Sequence, residues 1–92
     1  SGGWFTACND SEILAAQKLL AQKEGIFCEP ASAVSVAALK LGLAEGRITE
    51  GTSIVCTLTG HGLKDPDTAI AQSPEPMRVA PSVSAVCDAI LK

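Results

Sequence analysis

Apolar residues recur at helical spacing in several stretches of the chain. Ile13, Ala16 and Leu20 mark one stripe, and Leu14 and Leu19 widen it, with Gln17, Lys18, Gln22 and Lys23 at the polar positions. Asn9 followed three residues later by Glu12 has the form of a capping box. A helix is therefore expected from about Asp10 to Lys23, ended by Gly25. Glu29-Pro30 opens a second helix through Ala31–Leu39 and on to Leu43 or Ala44, stopped by Gly46. Its early turns have no charged face, so it expects protein on every side. Asp65 and Pro66 look like the cap and first residue of a short third helix. Val83, Val86, Cys87, Ile90 and Leu91 form the i, i+3, i+4, i+7, i+8 stripe of a last one.

Two stretches read differently. Trp4 to Cys8 is a short apolar run with strand character. Ser53-Ile54-Val55-Cys56-Thr57-Leu58 is β-branched without strict alternation, the pattern of a strand buried on both faces in a helix-covered sheet. Thr59-Gly60-His61-Gly62 follows it directly. Gln72 to Pro81 is a connector punctuated by Pro74, Pro76 and Pro81.

Composition sharpens this. The chain has 92 residues and a mass of 9.4 kDa, so at most one small domain. Hydrophobic residues make up 47% and mean hydropathy is +0.28, which excludes a disordered tail. Ala, Gly and Ser sum to 30 residues, and only Trp4, Phe5 and Phe27 are aromatic. Small side chains fill little volume each, a poor basis for a self-contained small core. Together with the all-apolar second helix, this reads as a piece of a larger, tightly packed protein.

Charge and cysteines narrow the classes. The net charge is −3 and the seven Lys and Arg form no basic stripe, so nucleic acid is not an expected partner. No apolar run reaches the ~18 residues of a membrane span, and no signal-peptide pattern begins the chain. Cys8, Cys28, Cys56 and Cys87 have no CxxC pair, and three lie in apolar runs, so reduced, buried thiols in a cytoplasmic protein are expected. With one histidine and no clustered ligands, no metal site is expected.

The candidate chemistry sits at the end of the Ser53–Leu58 run. Ligands in open α/β sheets bind beyond the carboxyl ends of strands. Thr59 there presents a hydroxyl able to donate to a ring nitrogen or an oxyanion. Gly60 and Gly62 either let the backbone approach a ligand or serve only as turn residues with positive φ. His61 reads first as a turn residue with a structural hydrogen bond, and Lys64 as a solvated lysine.

Two stretches, Glu24-Gly25-Ile26-Phe27-Cys28-Glu29-Pro30-Ala31-Ser32-Ala33 and Val55-Cys56-Thr57-Leu58-Thr59-Gly60-His61-Gly62-Leu63-Lys64-Asp65-Pro66-Asp67, resemble the threonine synthase family. Asn9-Asp10-Ser11-Glu12-Ile13-Leu14 resembles its acidic helix start. These are pyridoxal-phosphate enzymes of the tryptophan synthase β-like, type II fold. The resemblance implies an α/β fold class: a carboxyl-terminal segment, mostly helical with about four helices, and one or two buried strands. Residues 1–92 would be a single fragment, in which 72–92 are the proline-rich connector and terminal helix.

The resemblance also implies a function. The full-length enzyme would be a carbon–oxygen lyase of threonine biosynthesis, converting O-phospho-L-homoserine and water into L-threonine and phosphate. Thr59 would hydrogen-bond the pyridine nitrogen of pyridoxal 5'-phosphate, with Gly60 beside it and Glu29 next to the ring. Glu29 alternatively serves only as a helix-start carboxylate. No catalytic residue is expected in this chain, because the family's Schiff-base lysine motif and phosphate-cradling loop are absent from it. The fragment alone is expected to be inactive and to bind no cofactor. Its partners would be the rest of the enzyme or a second copy, within a homodimer. The alternatives are a threonine or serine dehydratase of the same fold, and a non-catalytic self-associating module.

Overall fold

The computed structural model describes residues 2–91. Four α-helices follow one another: α1 (Asp10–Glu24), α2 (Pro30–Ala44), α3 (Pro66–Gln72) and α4 (Val83–Ile90), with a 3-10 turn at Gly62–Lys64. Local chemistry explains their ends. At α1 the Glu12 N–H donates to Asn9 Oδ1 at 2.8 Å, and the Asn9 N–H to Glu12 Oε1 at 2.9 Å. This is the capping box that the sequence announces. Gly25 closes α1 at φ +66°, and its N–H donates to the Leu20 carbonyl. Pro30 occupies the first turn of α2, and Gly46 lies just beyond its end at φ +75°. Asp65 and Ser82 accept from the Thr68 and Ala85 N–H groups at the starts of α3 and α4.

The core lies where α1 packs on α2 and is built from small residues: Ala16, Cys28, Ala33 and Ala37. Cys8, Ile13, Leu20, Val36 and Leu58 pack around it. Gln17 joins Ala16 among the buried residues of α1. The sequence assigns it to the polar side, yet it lies one turn after Ile13 on the inward stripe. Its Nε2 donates to the Cys28 carbonyl at 2.8 Å, tying α1 to the segment ahead of α2. At the far end of α2, Gly42 gives room to Ile48 and Trp4, over whose ring the Arg47 guanidinium lies at 5.1 Å.

The buried strands are not found. No strand forms among the described residues, at Trp4–Cys8 or at Ser53–Leu58. Among the described residues, the one pairing outside the helices is an isolated antiparallel bridge between Cys28 and His61. The segment 53–58 keeps a two-residue burial rhythm, with Cys56 and Leu58 half-buried and Val55 at 92% exposure. A strand needs a neighbour for its N–H and C=O groups, and no other described segment lies alongside to pair with them in a ladder. The same lack of neighbours leaves α4 uncovered. Its stripe forms as spaced, but no residue of α4 is buried. Val34 and Leu43 of α2 are likewise open to solvent.

The dimensions express this openness. The radius of gyration is 17.5 Å, against about 12 Å for a compact domain of this length. The accessible surface is 7125 Å², against roughly 5,000 Å² for a compact monomer of this mass.

All four cysteines are free. Only Cys28 is buried; Cys8 and Cys56 are half-buried and Cys87 is exposed, so the expectation of uniformly buried thiols holds at one position. Burial raises the Cys28 thiol pKa, against a backbone hydrogen bond that lowers it, and the Glu29 carboxylate adds a smaller upward push. Cys8 is raised by burial and then by the Glu12 and Glu45 carboxylates. A thiol with a raised folded pKa ionises first in the unfolded chain, so its contribution to stability is lost as pH rises through the thiol range. Iodoacetamide followed by peptide mass spectrometry should label Cys87 first and Cys28 last, the latter needing higher pH. Removing the α1 cap with Asn9→Ala should lower stability by about 1 kcal/mol, read from a urea transition.

Candidate functional site

The two motif stretches meet in space. The Glu29 N–H donates to the Gly60 carbonyl at 2.9 Å, and the Gly62 N–H to the Phe27 carbonyl at 3.1 Å. These bonds clamp the entry to α2 against the turn after residue 58. Thr59, Gly60 and Glu29, the three residues the sequence singles out for a cofactor, are thereby brought together.

Ser32 joins them. Its side chain lies in the first turn of α2, in a residue only 3% exposed. Its Oγ accepts from the Thr59 N–H at 2.9 Å and the Gly60 N–H at 2.8 Å. It also lies 2.9 Å from Thr59 Oγ1 and 3.5 Å from Glu29 Oε1, two places its single proton could go. Sequence reading treats Ser32 only as one residue of an apolar helix. One signal was available: it is a hydroxyl within the helical stretch that otherwise demands apolar cover.

Glu29 points back over the turn. Its side chain is 19% exposed and Oε1 lies 4.0 Å from Lys64 Nζ. It makes no cap hydrogen bond to its own helix. The helix-start role is therefore not carried by a side-chain cap. Lys64 is mostly solvated, as its sequence reading has it, but leans toward that carboxylate.

The glycines are needed for closeness rather than for φ. The positive-φ glycines are Gly2, Gly25, Gly46 and Gly51, not those of the turn. A Cβ on Gly60 would run into the Glu29 carboxyl, and a Cβ on Gly62 into the Phe27 ring. The Phe27 ring also meets His61 edge-to-face, with centroids 5.7 Å apart. His61 Nδ1 accepts from the Leu63 N–H at 3.1 Å, capping the 3-10 turn. That is the structural hydrogen bond expected of a turn histidine.

The comparisons with known proteins bear on this geometry. Residues 1–60 match the model of the family described as pyridoxal-phosphate dependent enzyme, a span that includes Glu29, Ser32, Thr59 and Gly60. The chain belongs to the pyridoxal-phosphate dependent enzyme family. Within that family it is similar to proteins named threonine synthase. It is 61% identical over 79 residues to that of Methanocaldococcus jannaschii, covering 86% of this chain and 20% of the relative. It is 55% identical over 71 residues to that of Halalkalibacterium halodurans, covering 77% and 20%. It is 49% identical over 90 residues to that of Methanosarcina acetivorans, covering 98% and 22%. The chain spans about a fifth of the length of these curated relatives.

The turn sets a hydroxyl and a carboxylate side by side, a pair that could meet one edge of a pyridine ring. Thr59 is exposed and carries a hydroxyl, Glu29 carries a half-buried carboxylate, and Gly60 adds no side chain between them. Among the described residues no helix is long and apolar enough to cross a membrane.

The two turn glycines differ in what blocks them. Gly62→Ala meets a ring held by His61, whereas Gly60→Ala meets a carboxylate on a flexible stem. Overpacking of this kind costs about 1–3 kcal/mol. Gly62→Ala should therefore lower the urea midpoint more than Gly60→Ala, which should instead release Glu29 from Ser32 and Lys64.

Proposed function

We propose that this chain is the carboxyl-terminal part of a cytoplasmic threonine synthase, and forms one side of its cofactor cleft. The full-length enzyme would act as a lyase in threonine biosynthesis, turning O-phospho-L-homoserine and water into L-threonine and phosphate. The observation that carries this reading is the clamped turn. It presents the Thr59 hydroxyl and Glu29 carboxylate together on a shared Ser32. The similarity to relatives named threonine synthase supports the choice of reaction.

Pyridoxal phosphate, when bound, supplies the electron sink for opening bonds at the substrate's α-carbon. The chain's own residues would tune and seat it. Thr59 would donate a hydrogen bond to the ring nitrogen. A hydroxyl is too weak an acid to give that nitrogen a proton, so the sink stays milder than one paired with a carboxylate. Glu29 would stand beside the ring with its charge partly met by Lys64. Gly60 would keep the turn thin enough for both groups to reach the same edge. The lysine that carries the cofactor and the loop that holds its phosphate would come from the rest of the enzyme.

The same partner would complete the fold. Neighbouring strands would pair with 53–58 and restore the α/β sheet, and Val34, Leu43 and the α4 stripe would be covered. The complete enzyme would be a homodimer. The chain alone would be inactive and would self-associate through its uncovered α2 face.

The decisive experiment is a chimera in which this chain replaces the matched segment of the Methanocaldococcus jannaschii enzyme. It should bind pyridoxal phosphate and release phosphate from O-phosphohomoserine with kcat/KM within about tenfold of the parent. A folded chimera that binds no cofactor would overturn the reading, and one that deaminates threonine instead would move it to a dehydratase. The isolated chain, given pyridoxal phosphate, should release no phosphate and retain no cofactor after borohydride treatment. In sedimentation, its mean mass should rise with concentration, and a strict monomer would contradict the self-association.

A further inference from the structure

We infer that Ser32 is a positioning residue that fixes the direction of the Thr59 hydroxyl, making it a hydrogen-bond donor toward the cofactor's ring nitrogen. This rests on the pyridoxal-phosphate reading above and adds to it a residue that touches no ligand itself.

The argument is a count of protons and lone pairs. A serine hydroxyl has one proton to give and two lone pairs to receive. Ser32 Oγ receives the Thr59 N–H at 2.9 Å and the Gly60 N–H at 2.8 Å, which uses both lone pairs. A third short contact, 2.9 Å to Thr59 Oγ1, remains. Were Thr59 the donor there, Ser32 would have three donors and two acceptor sites. So Ser32 gives its proton and Thr59 Oγ1 takes it.

The competing acceptor is weaker placed. Glu29 Oε1 lies at 3.5 Å, and its charge is shared with Lys64 Nζ at 4.0 Å. A contact at that distance is at the limit of a hydrogen bond. The shorter one wins the proton.

The consequence falls on Thr59. Its oxygen is engaged by Ser32, and its own proton has no recorded acceptor among the described residues. Thr59 is exposed, so this proton is open to a group that docks on the turn. A group docking on it finds a donor, which suits a ring nitrogen with a free lone pair. Buried Ser32 acts at one remove: its two amide contacts hold the turn's backbone while its proton sets the polarity of the hydroxyl.

The test uses the chimera described above, with Ser32→Ala, Thr59→Val and the double variant. The readout is the dissociation constant for pyridoxal phosphate. Ser32→Ala alone should raise it about tenfold, the size of one hydrogen bond. In the Thr59→Val background the same change should raise it less than about twofold, because no hydroxyl is left to direct. Equal losses in both backgrounds would show a merely structural role and overturn the inference. A Ser32→Ala protein that binds as tightly as its parent would overturn it too. Ser32→Ala leaves two amides without their acceptor and can unfold the turn, so a second measurement uses the unsubstituted chimera. Its bound cofactor, labelled with nitrogen-15 in the ring, should show an unprotonated, hydrogen-bonded nitrogen by NMR. A protonated ring nitrogen would overturn the donor assignment. A chimera with no bound ring signal at all would instead overturn the cofactor reading on which the assignment rests.

Discussion

Two backbone hydrogen bonds, between Glu29 and Gly60 and between Gly62 and Phe27, are what the rest of the site depends on. They join segments more than thirty residues apart in sequence and lay the turn across the entry to α2. Once they form, Ser32 comes within reach of both turn amides. The Glu29 side chain is then carried over Gly60, and the Phe27 ring over Gly62. Chemistry and packing thus share one support. The carboxylate and hydroxyl are aligned by the same contacts that close the backbone.

Smallness is the condition for that closeness. The core is alanine and cysteine, and the turn carries glycine where a Cβ would strike a neighbour. Small residues let segments approach until backbone groups and short polar side chains meet directly, as Gln17 meets the Cys28 carbonyl. The cost is volume: among the described residues no large side chain is fully buried. Apolar burial therefore contributes less per residue than in a core of leucine and phenylalanine. A chain packed this way gains stability from what surrounds it, which matches the roughly 2,000 Å² of surface beyond that of a compact monomer.

That dependence separates what was legible in the sequence from what was not. The helices were legible, because their signals are local. Asn9 with Glu12, Gly25, Pro30, Asp65 with Pro66, and the Val83–Leu91 stripe each specify an element within a few residues. The run at 53–58 has strand character in its residues but forms no strand here, since a strand exists only with a partner. Gln17 was misplaced because a polar residue on an inward stripe is read as outward until its acceptor is known. For the turn glycines the sequence left close approach and positive φ both open; the structure shows close approach, to Glu29 and Phe27, which required knowing what sat above them.

The sequence by itself determined the four helices and the motif pair that marks a pyridoxal-phosphate enzyme. Each of these is written in neighbouring residues. Only the tertiary structure decided that the two motifs touch, that Glu29 folds over Gly60, and that Ser32 links them. Its hydroxyl is the acceptor for amides 27 and 28 residues away, and no local pattern encodes a hydrogen bond over that separation. The physical reason is range: caps and periodicity act within a turn or two, whereas a shared proton between distant segments exists only once the chain has brought them together.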